Sequence, residues 1–451
     1  HTTEAARDVP FRLRGFISTE FFTDFQAYQT MSVFSIFTTK KRRQPKKAQP
    51  TPTEYYAHLA TRLSVLKVAL LAVLVCFIAF GFTFYGSELT MENFRYMMKF
   101  MSVDRDTTLA AGNTITYDSD EDTVYAILNG DVAIVNRNGL SVYDTAGQRL
   151  LRQNGEFNEP LAVVNGKHLI VADRSSYQLN IYSAYSLLYS QSYSYPILSL
   201  AASPSGKYGV VTSALGYRSG VEIYDSEFRI IFKYYFADRY TTRLAISGDG
   251  TTAAVAAFTN DQSGDYHAYF YIFAPDESAE PSKVFDFVDE VPLYVGFFGD
   301  GGYALLTGSA LRFCDKNGEI TSTVYFTGKT AKRFFMSDDY FVLSFAMPGL
   351  SNATTLEIYS KNGSHIMSRS VRNDVSHADI IDSHLYYYSA GVLHTVDLTS
   401  RSEDKSDDIG IDYKCVLPEP DSNSIIMFYK NIALVYNKND FPTAVLTPPE
   451  Q

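Results

Sequence analysis

The chain has 451 residues, 46% of them hydrophobic, so it can hold several domains or one large repeat fold and is not disordered as a whole. Its formal net charge of −11 is unevenly distributed: residues 1–67 carry 11 basic and 5 acidic side chains, and residues 68–451 carry 28 basic and 45 acidic ones. We predict no nucleic-acid function, because phosphate binding needs a basic face and the large C-terminal part is acidic.

The first predicted element is an apolar helix at residues 63–86. Val68 to Tyr85 contains 18 residues without a charge, which corresponds to about 27 Å of helix and is just enough to cross a bilayer. A cleaved signal peptide is the alternative, but the segment ends in the aromatic sequence FTFY rather than in the small residues of a cleavage site. We therefore predict an uncleaved transmembrane helix.

The flanks of this helix predict its orientation. Residues 31–67 carry eight Lys or Arg and one acidic residue, whereas Glu88 and Glu92 follow the helix. By the positive-inside rule, the N-terminus lies in the cytoplasm and residues 86–451 lie outside the cell membrane, in a single-pass topology. We expect residues 1–62 to form a disordered basic tail, and our hypothesis is that Met31 is the native start.

Residues 87–108 have an apolar pattern typical of a short amphipathic helix. The pattern consists of apolar side chains that recur at steps of two to four, at Leu89, Met91, Phe94, Met97, Met98 and Met101. This spacing predicts a stalk helix, and its Met side chains would also suit packing on a bilayer surface or on the following domain.

From residue 109 onward, a strand pattern recurs about every 42 residues. Each copy alternates apolar and other residues up to a fourth position and ends in a turn residue, as in Leu140–Asp144 and Val221–Asp225. The fourth positions of the eight copies are Tyr143, Tyr182, Tyr224, Phe273, Cys314, Tyr359, Val396 and Tyr436. Alternation with period 2 predicts strands, and turn signals such as TAG and KNG predict a further strand after each copy. Hairpin signals upstream, such as LAASPSGKYGVV, raise the number of strands to about four per repeat.

Four-stranded units that repeat every 40 to 50 residues are typical of a β-propeller. Eight copies within residues 109–449 favour eight blades, with seven as the alternative, whereas an array of Ig-like sandwiches needs about 100 residues per unit. We predict that Thr114–Tyr117 closes the ring against the chain end near Ala444–Leu446. The predicted fold class is therefore all-β, a β-propeller preceded by a transmembrane helix and a stalk helix. The repeats lack the Trp-Asp and Gly-His pairs of the WD40 subclass.

The basic tail, the single span, the segment SELTMENFRYMMKFM and propeller motifs such as TRLAISGDGTTAAVAAFTNDQ together resemble a known family. It is a domain-of-unknown-function family of single-pass membrane proteins of Gram-positive bacteria, with an extracytoplasmic propeller of the quinoprotein or YVTN type. The resemblance covers about residues 60–450. It implies a location and a fold, without an established activity to transfer.

The chain lacks the residues that the enzymes of this fold type share. Quinone-dependent dehydrogenases resemble one another in a Trp and often an adjacent-cysteine ring at the quinone, and this chain has no Trp and no Cys-Cys pair. The histidines after residue 108 form no H-x-H, H-E-x-x-H or Cys/His cluster, and the sequence has no G-x-S-x-G motif. We expect neither a catalytic site, nor a cofactor, nor a metal site.

The candidate binding residues are four tyrosines that crowd one repeat, Tyr185, Tyr189, Tyr193 and Tyr195. Exposed tyrosines stack on sugars or anchor protein partners, although strand propensity also explains their presence. We predict a non-enzymatic protein-binding or scaffolding module at the cell envelope, whose propeller loops engage a protein or cell-wall partner. The alternative is a small-molecule or metal sensor, or an enzyme, that uses the central channel. Carboxylates or histidines converging on the axis from several blades would favour this alternative.

Overall fold

The structure is a computed structural model that describes residues 52–85, 114–260, 264–347, 353–408, 413–418 and 424–437. The chain divides into two compact units, His1–Leu89 and Thr90–Gln451. The predicted stalk at residues 87–108, the proposed start at Met31 and most of the predicted tail lie outside the described residues.

The N-terminal unit contains one described helix, α1, from Pro52 to Tyr85. Pro52 suits the first turn of α1, because backbone N–H groups in the first turn have no intrahelical acceptor and proline lacks this N–H. The segment Ala60–Phe77 has a mean hydropathy of 2.0, and its side chains are exposed. Among the described residues, α1 is the one helix long and apolar enough to cross a membrane, as predicted for residues 63–86.

The C-terminal unit consists of four-stranded antiparallel sheets, which we call blades 1 to 8. Blade 1 contains β2 (Val124–Leu128), β3 (Asp131–Asn136), β4 (Gly139–Tyr143) and β5 (Arg149–Asn154). Blade 2 contains β6 (Pro160–Val164), β7 (Leu169–Asp173), β8 (Gln178–Tyr182) and β9 (Leu187–Ser192). Blade 3 contains β10 (Ile197–Ala202), β11 (Tyr208–Ala214), β12 (Tyr217–Tyr224) and β13 (Ile230–Phe236). Blade 4 contains β14 (Tyr240–Ile246), β15 (Ala253–Asn260), β16 (Tyr266–Phe273) and β17 (Lys283–Val288).

The remaining blades follow in chain order, except for the last strand of blade 8. Blade 5 contains β18 (Pro292–Phe297), β19 (Tyr303–Thr307), β20 (Ala310–Cys314) and β21 (Ile320–Tyr325). Blade 6 contains β22 (Ala331–Met336), β23 (Tyr340–Ala346), β24 (Thr354–Ser360) and β25 (His365–Val371). Blade 7 contains β26 (His377–Ile381), β27 (His384–Ser389), β28 (Val392–Asp397) and β29 (Ser402–Asp408). Blade 8 contains β30 (Tyr413–Pro418), β31 (Ser424–Tyr429), β32 (Ile432–Asn437) and β1 (Thr114–Thr116).

This architecture confirms the prediction of an eight-bladed propeller. Each copy of the recurring strand pattern is the third strand of a blade, from β4 in blade 1 to β32 in blade 8. The hairpin signals upstream correspond to the first and second strands, for example β10 and β11. The alternating pattern therefore predicted both the strands and their place in each blade.

The predicted partner of the ring-closing strand is wrong. β1 does complete the eighth blade, but it pairs with β32 in the register Thr114↔Leu434 and Thr116↔Ile432, not with Ala444–Leu446. The reason is that β32 is the third strand of its blade and has an open edge, so the N-terminal strand takes the place of a fourth strand. Ile115 is fully buried at this junction.

Hydrophobic packing between the blades forms the core. The buried side chains form eight clusters, each drawn from two neighbouring blades, so that every blade interface has its own cluster. The second strand of a blade contributes to the clusters on both sides of that blade, because successive side chains of a strand point to opposite faces. On β15, Val255 packs toward blade 3, whereas Ala254 and Ala256 pack toward blade 5.

The antiparallel order of the strands gives the ring two faces. Face A carries the turns between the first and second strands and between the third and fourth strands of a blade. Face B carries the turns between the second and third strands and the connections from one blade to the next. The first strands of the blades lie innermost, around the central axis.

Candidate functional site

The four predicted tyrosines do not form one site. Tyr185 lies in the turn after β8 on face A and packs against the cluster between blades 1 and 2. Tyr189 lies on β9, where its ring stacks on Phe228 with a centroid distance of 5.3 Å. Tyr193 and Tyr195 lie in the connection from β9 to β10 on face B, and both line a groove of about 410 Å³. The structure therefore brings together Tyr193 and Tyr195 and separates them from the other two.

We call this groove, between the outer strands of blades 2 and 3, the tyrosine groove. The side chains on which its chemistry depends are Gln191, Tyr193, Tyr195, Tyr217, Glu222, Lys233 and Tyr235. Tyr217 and Tyr235 are 47% and 42% exposed, so their rings remain accessible to a ligand. The groove thus combines accessible aromatic rings with polar side chains, which is typical of sites that orient a ligand.

The register of β12 and β13 builds the groove. Gly220 pairs with Tyr235 and Glu222 pairs with Lys233. Residues two apart on a strand share a face, so all four face blade 2. The ring of Tyr235 covers Gly220, because a Cβ at position 220 would lie 2.9 Å from Tyr235 Cδ1. Tyr217 lies beside Tyr235, with ring centroids 5.2 Å apart and planes inclined by 32°.

A hydrogen-bond network forms the inner wall of the groove. The Tyr224 hydroxyl donates to Glu222 Oε2 at 2.6 Å, and it accepts hydrogen bonds from the Tyr193 hydroxyl at 2.9 Å and from Gln191 Nε2 at 3.0 Å. Burial raises the pKa of both Tyr193 and Tyr224, so both phenols stay protonated and can donate. Lys233 Nζ donates to Glu222 Oε1 at 2.7 Å, and this hydrogen bond raises the pKa of Lys233.

A second cavity, of about 500 Å³, lies between the innermost strands of blades 6, 7 and 8. Asp379 on β26 lines it, and its carboxylate Oδ2 accepts hydrogen bonds from the Tyr413 hydroxyl at 2.7 Å and from the Val416 N–H at 3.1 Å. Burial raises the pKa of Asp379 to about 6, even though both hydrogen bonds act in the opposite direction. Asp338 and Asp382 also line the cavity.

A further described part of the channel wall, on blades 1, 2, 3 and 8, is mainly apolar, with Ile127, Val163 and Leu417 among its side chains. His377 is the one histidine on the described innermost strands, and burial together with Lys414 and Arg333 lowers its pKa. Among the described residues, no group of three or more His, Cys, Asp or Glu is arranged to hold a metal ion. Asp338 of blade 6 and Asp379 and Asp382 of blade 7 do line one cavity at the channel, but in this part of the chain they are not arranged as a metal site.

Comparison with known proteins identifies the family. The model of the family of unknown function DUF5711 matches residues 106–435, which span the propeller. The chain belongs to the DUF5711 family. No curated protein matches it.

Solved structures resemble this DUF5711 chain in fold alone. Sqt1 from Saccharomyces cerevisiae has a TM-score of 0.53 at 11% identity, over 72% of this chain and 99% of its own. The Dos1 propeller has a TM-score of 0.54 at 12% identity, over 73% of this chain and 94% of its own. BamB from Moraxella catarrhalis has a TM-score of 0.48 at 14% identity, over 72% of this chain and 96% of its own.

Sequence analysis of the DUF5711 chain missed most of the tyrosine groove. Tyr217 and Tyr235 lie on different strands, and they become neighbours through the pairing of β12 with β13. A signal was present in the sequence, because Leu215 and Gly216 form a hairpin tip directly before Tyr217. An apolar residue at a hairpin tip next to an aromatic residue indicates an exposed apolar site, since tips normally carry polar residues.

Proposed function

We propose that this DUF5711 chain is a membrane-anchored, extracytoplasmic binding module whose propeller engages a protein partner without catalysing a reaction. Two features support the anchor and its orientation. The apolar segment Ala60–Phe77 of α1 is long enough to span a bilayer, and the basic residues before it favour a cytoplasmic N-terminus.

The observation that carries the protein-binding proposal is an exposed apolar surface on face B. Ten of the fifteen exposed large hydrophobic side chains of the described propeller lie at this face. Five of them form what we call the blade 4–5 patch: Tyr240, Tyr266, Val288, Val291 and Leu293, each between 41% and 55% exposed. Monomeric soluble proteins rarely expose apolar surface in this way unless it binds a partner.

The chemistry of the blade 4–5 patch favours a protein as the occupant. Arg218 lies over the Tyr240 ring at 5.2 Å, and nearby Arg239 lies over Tyr269 at 4.3 Å. Tyrosine and arginine are enriched at the centres of protein interfaces. Arg218 is exposed and can pair with a carboxylate, so we infer a partner segment with apolar side chains and at least one acidic residue.

Site-specific photo-crosslinking in native membranes tests the proposal. A photoreactive amino acid replaces Tyr266 or Val288 on face B, or Glu227 or Asn317 in turns of face A as matched controls. We expect the two face B positions to capture the same protein, and the additional substitution Arg218→Glu to abolish capture. Equal capture from both faces, or no adduct from face B, would overturn the proposal.

A second candidate function rests on the cavity at Asp379. A protonatable carboxyl group in a cavity of about 500 Å³ at the channel can bind a small molecule that carries hydrogen-bond donors. Native mass spectrometry of the full chain tests this function. A small molecule that stays bound to the wild type and is lost from Asp379→Ala would favour the channel over the blade 4–5 patch.

A further inference from the structure

We propose that the tyrosine groove binds a neutral saccharide, with the rings of Tyr217 and Tyr235 as its stacking platform. This inference does not depend on the proposed protein partner, because no residue of the blade 4–5 patch lines the groove. The volume of about 410 Å³ lies within the range of small-molecule sites, roughly 300–1,000 Å³.

The platform has the shape that a sugar ring requires. One face of a pyranose presents several C–H groups, which pack favourably on the electron-rich face of an aromatic ring. Tyr217 and Tyr235 pack against each other with ring centroids 5.2 Å apart, and both side chains keep part of their surface accessible from solvent. Gly220 is needed for this arrangement, since the Tyr235 ring occupies the space of a side chain at that position.

Gln191 provides an independent observation that indicates a ligand with hydrogen-bond donors. Its Oε1 is buried and has no hydrogen-bond partner, and the residue lines the groove. The amide cannot simply be turned over. The Tyr224 hydroxyl uses its single proton for Glu222, so a turned amide would place Oε1 3.0 Å from an oxygen that has no proton left to donate, and this repulsion favours Nε2 toward Tyr224. A buried carbonyl without a donor costs free energy, so a rotation of the Gln191 side chain that lets Oε1 accept from a sugar hydroxyl or an acetamido N–H in the groove would be favourable.

The charges of the groove favour a neutral ligand. Among the described lining residues, Glu222 and Lys233 are the charged ones, and they pair with each other at 2.7 Å. A paired carboxylate and ammonium offer an acceptor and a donor to sugar hydroxyls without a net charge. An anionic polymer would find no unpaired cation among these lining residues.

Calorimetric titration of the full chain in detergent with chitotetraose and, separately, with cellotetraose tests the proposal. Because the protein contains no Trp, tyrosine fluorescence provides a second readout. We expect at least one sugar to bind, and binding of chitotetraose alone would assign the Gln191 carbonyl to the acetamido N–H. Tyr235→Ala should weaken binding about tenfold or more, whereas Tyr235→Phe should retain it, because stacking needs the ring and not the hydroxyl.

Two further variants distinguish sugar binding in the tyrosine groove from binding elsewhere on the protein. Tyr325→Ala removes another exposed tyrosine, on blade 5 outside the groove, and should leave sugar affinity unchanged. Gln191→Met should weaken sugar binding about tenfold with little net change in stability, since it removes both an acceptor that has no partner and the Nε2 hydrogen bond to Tyr224. The proposal fails if neither sugar binds at millimolar concentration, or if Tyr325→Ala weakens binding as much as Tyr235→Ala. Such a failure would leave the crosslinking test of the protein partner unaffected.

Discussion

The hydroxyl of Tyr193 donates a 2.9 Å hydrogen bond to the hydroxyl of Tyr224, which joins the end of blade 2 to blade 3. Tyr224 in turn donates to the Glu222 carboxylate, so two tyrosines and one carboxylate act as a connected chain. The ring of Tyr224 also stacks on Tyr208, with centroids 4.7 Å apart and planes 5° from parallel. The position of Tyr224 in the wall of the tyrosine groove is therefore fixed by hydrogen bonds to its hydroxyl and by stacking of its ring on Tyr208.

The first prediction concerns this chain of hydrogen bonds. Tyr193→Phe should lower the free energy of unfolding by about 1 kcal/mol, and Tyr224→Phe by about 2 kcal/mol, because Tyr224 donates to a charged acceptor. The double variant should lose less than the sum, since the two bonds share the Tyr224 hydroxyl. Urea denaturation measures all three values. Tyr177→Phe, at an exposed tyrosine, is the control, and strictly additive losses would contradict the network.

A second prediction concerns the pH dependence of stability. The folded-state pKa of Asp379, about 6, lies above the usual aspartate value of 3.8, so the folded protein holds this proton more tightly than the unfolded chain. The resulting stabilisation is present below about pH 4 and is lost as the pH rises through 6, by about 3 kcal/mol in total. Asp379→Asn should remove this change between pH 4 and 7. Denaturation curves that keep the same slope against pH in the variant would show that another group is responsible.

The ion pair between Arg312 and Glu290 provides a third prediction. Arg312 makes two hydrogen bonds to the Glu290 carboxylate, at 2.9 and 2.6 Å, and its Cζ lies 3.7 Å from the centroid of the Phe287 ring. The two side chains are 6% and 13% exposed, so Arg312→Met would leave a buried carboxylate unpaired and should cost about 3–5 kcal/mol. Arg229→Met, which breaks the surface pairs of this side chain with Asp225 and Glu227, should lower the stability far less.

The same pair predicts acid sensitivity. Burial alone would raise the pKa of Glu290, but the hydrogen bonds from Arg312 and Thr307 outweigh it and hold the pKa below its usual value. Its stabilisation is therefore complete above the unfolded pKa and is lost as the pH falls through the lowered folded value. Thermal unfolding followed from pH 5 downward should show this loss in the wild type and not in Glu290→Gln. An identical acid profile in the two proteins would contradict the assignment.

A fourth prediction concerns ring closure. Ile115→Ala removes a fully buried side chain from the junction of blades 8 and 1 and should lower the free energy of unfolding by about 2–5 kcal/mol. Thr116→Ala, at the exposed neighbour, should change it by less than about 0.5 kcal/mol. Limited proteolysis of the full chain gives a second readout, because an open ring exposes the edge of β32. Equal protease resistance of both variants would argue against closure by β1.

A fifth prediction tests the orientation across the membrane. Burial raises the pKa of Cys314 to about 12 and that of Cys415 well above its usual value, so the thiols of the described propeller should react slowly. Glu227→Cys adds an exposed thiol on face A, and Lys40→Cys adds one before α1. A membrane-impermeant maleimide should label Glu227→Cys on intact cells and leave Lys40→Cys unlabelled. Labelling of Lys40→Cys and not of Glu227→Cys would contradict the proposed orientation and place the propeller in the cytoplasm.

Sequence periodicity was sufficient to predict the blades and insufficient to predict the site. The third strands carry period-2 alternation followed by turn signals, so their number and place could be read from the sequence. Closure could not be read in this way, because Ala444–Leu446 and Ile432–Asn437 are both apolar segments, and the pattern does not specify with which of them Thr114–Tyr117 pairs. Whether Tyr193 and Tyr195 share a site with Tyr217 depends on how a connection folds over the neighbouring blade, and local patterns do not specify that.

The strand that closes the ring is the first part of the propeller to be synthesised, and its partner is the last. The Tyr117 hydroxyl donates to the Tyr429 carbonyl, a contact between residues 312 positions apart in the chain. During synthesis, β1 therefore has no pairing partner until β32 has been made. A chain truncated before β32 cannot form a closed ring. Only chains that contain β32 can close the ring, and chains without it keep an exposed strand edge. We therefore expect proteases to degrade prematurely terminated chains faster than full-length chains.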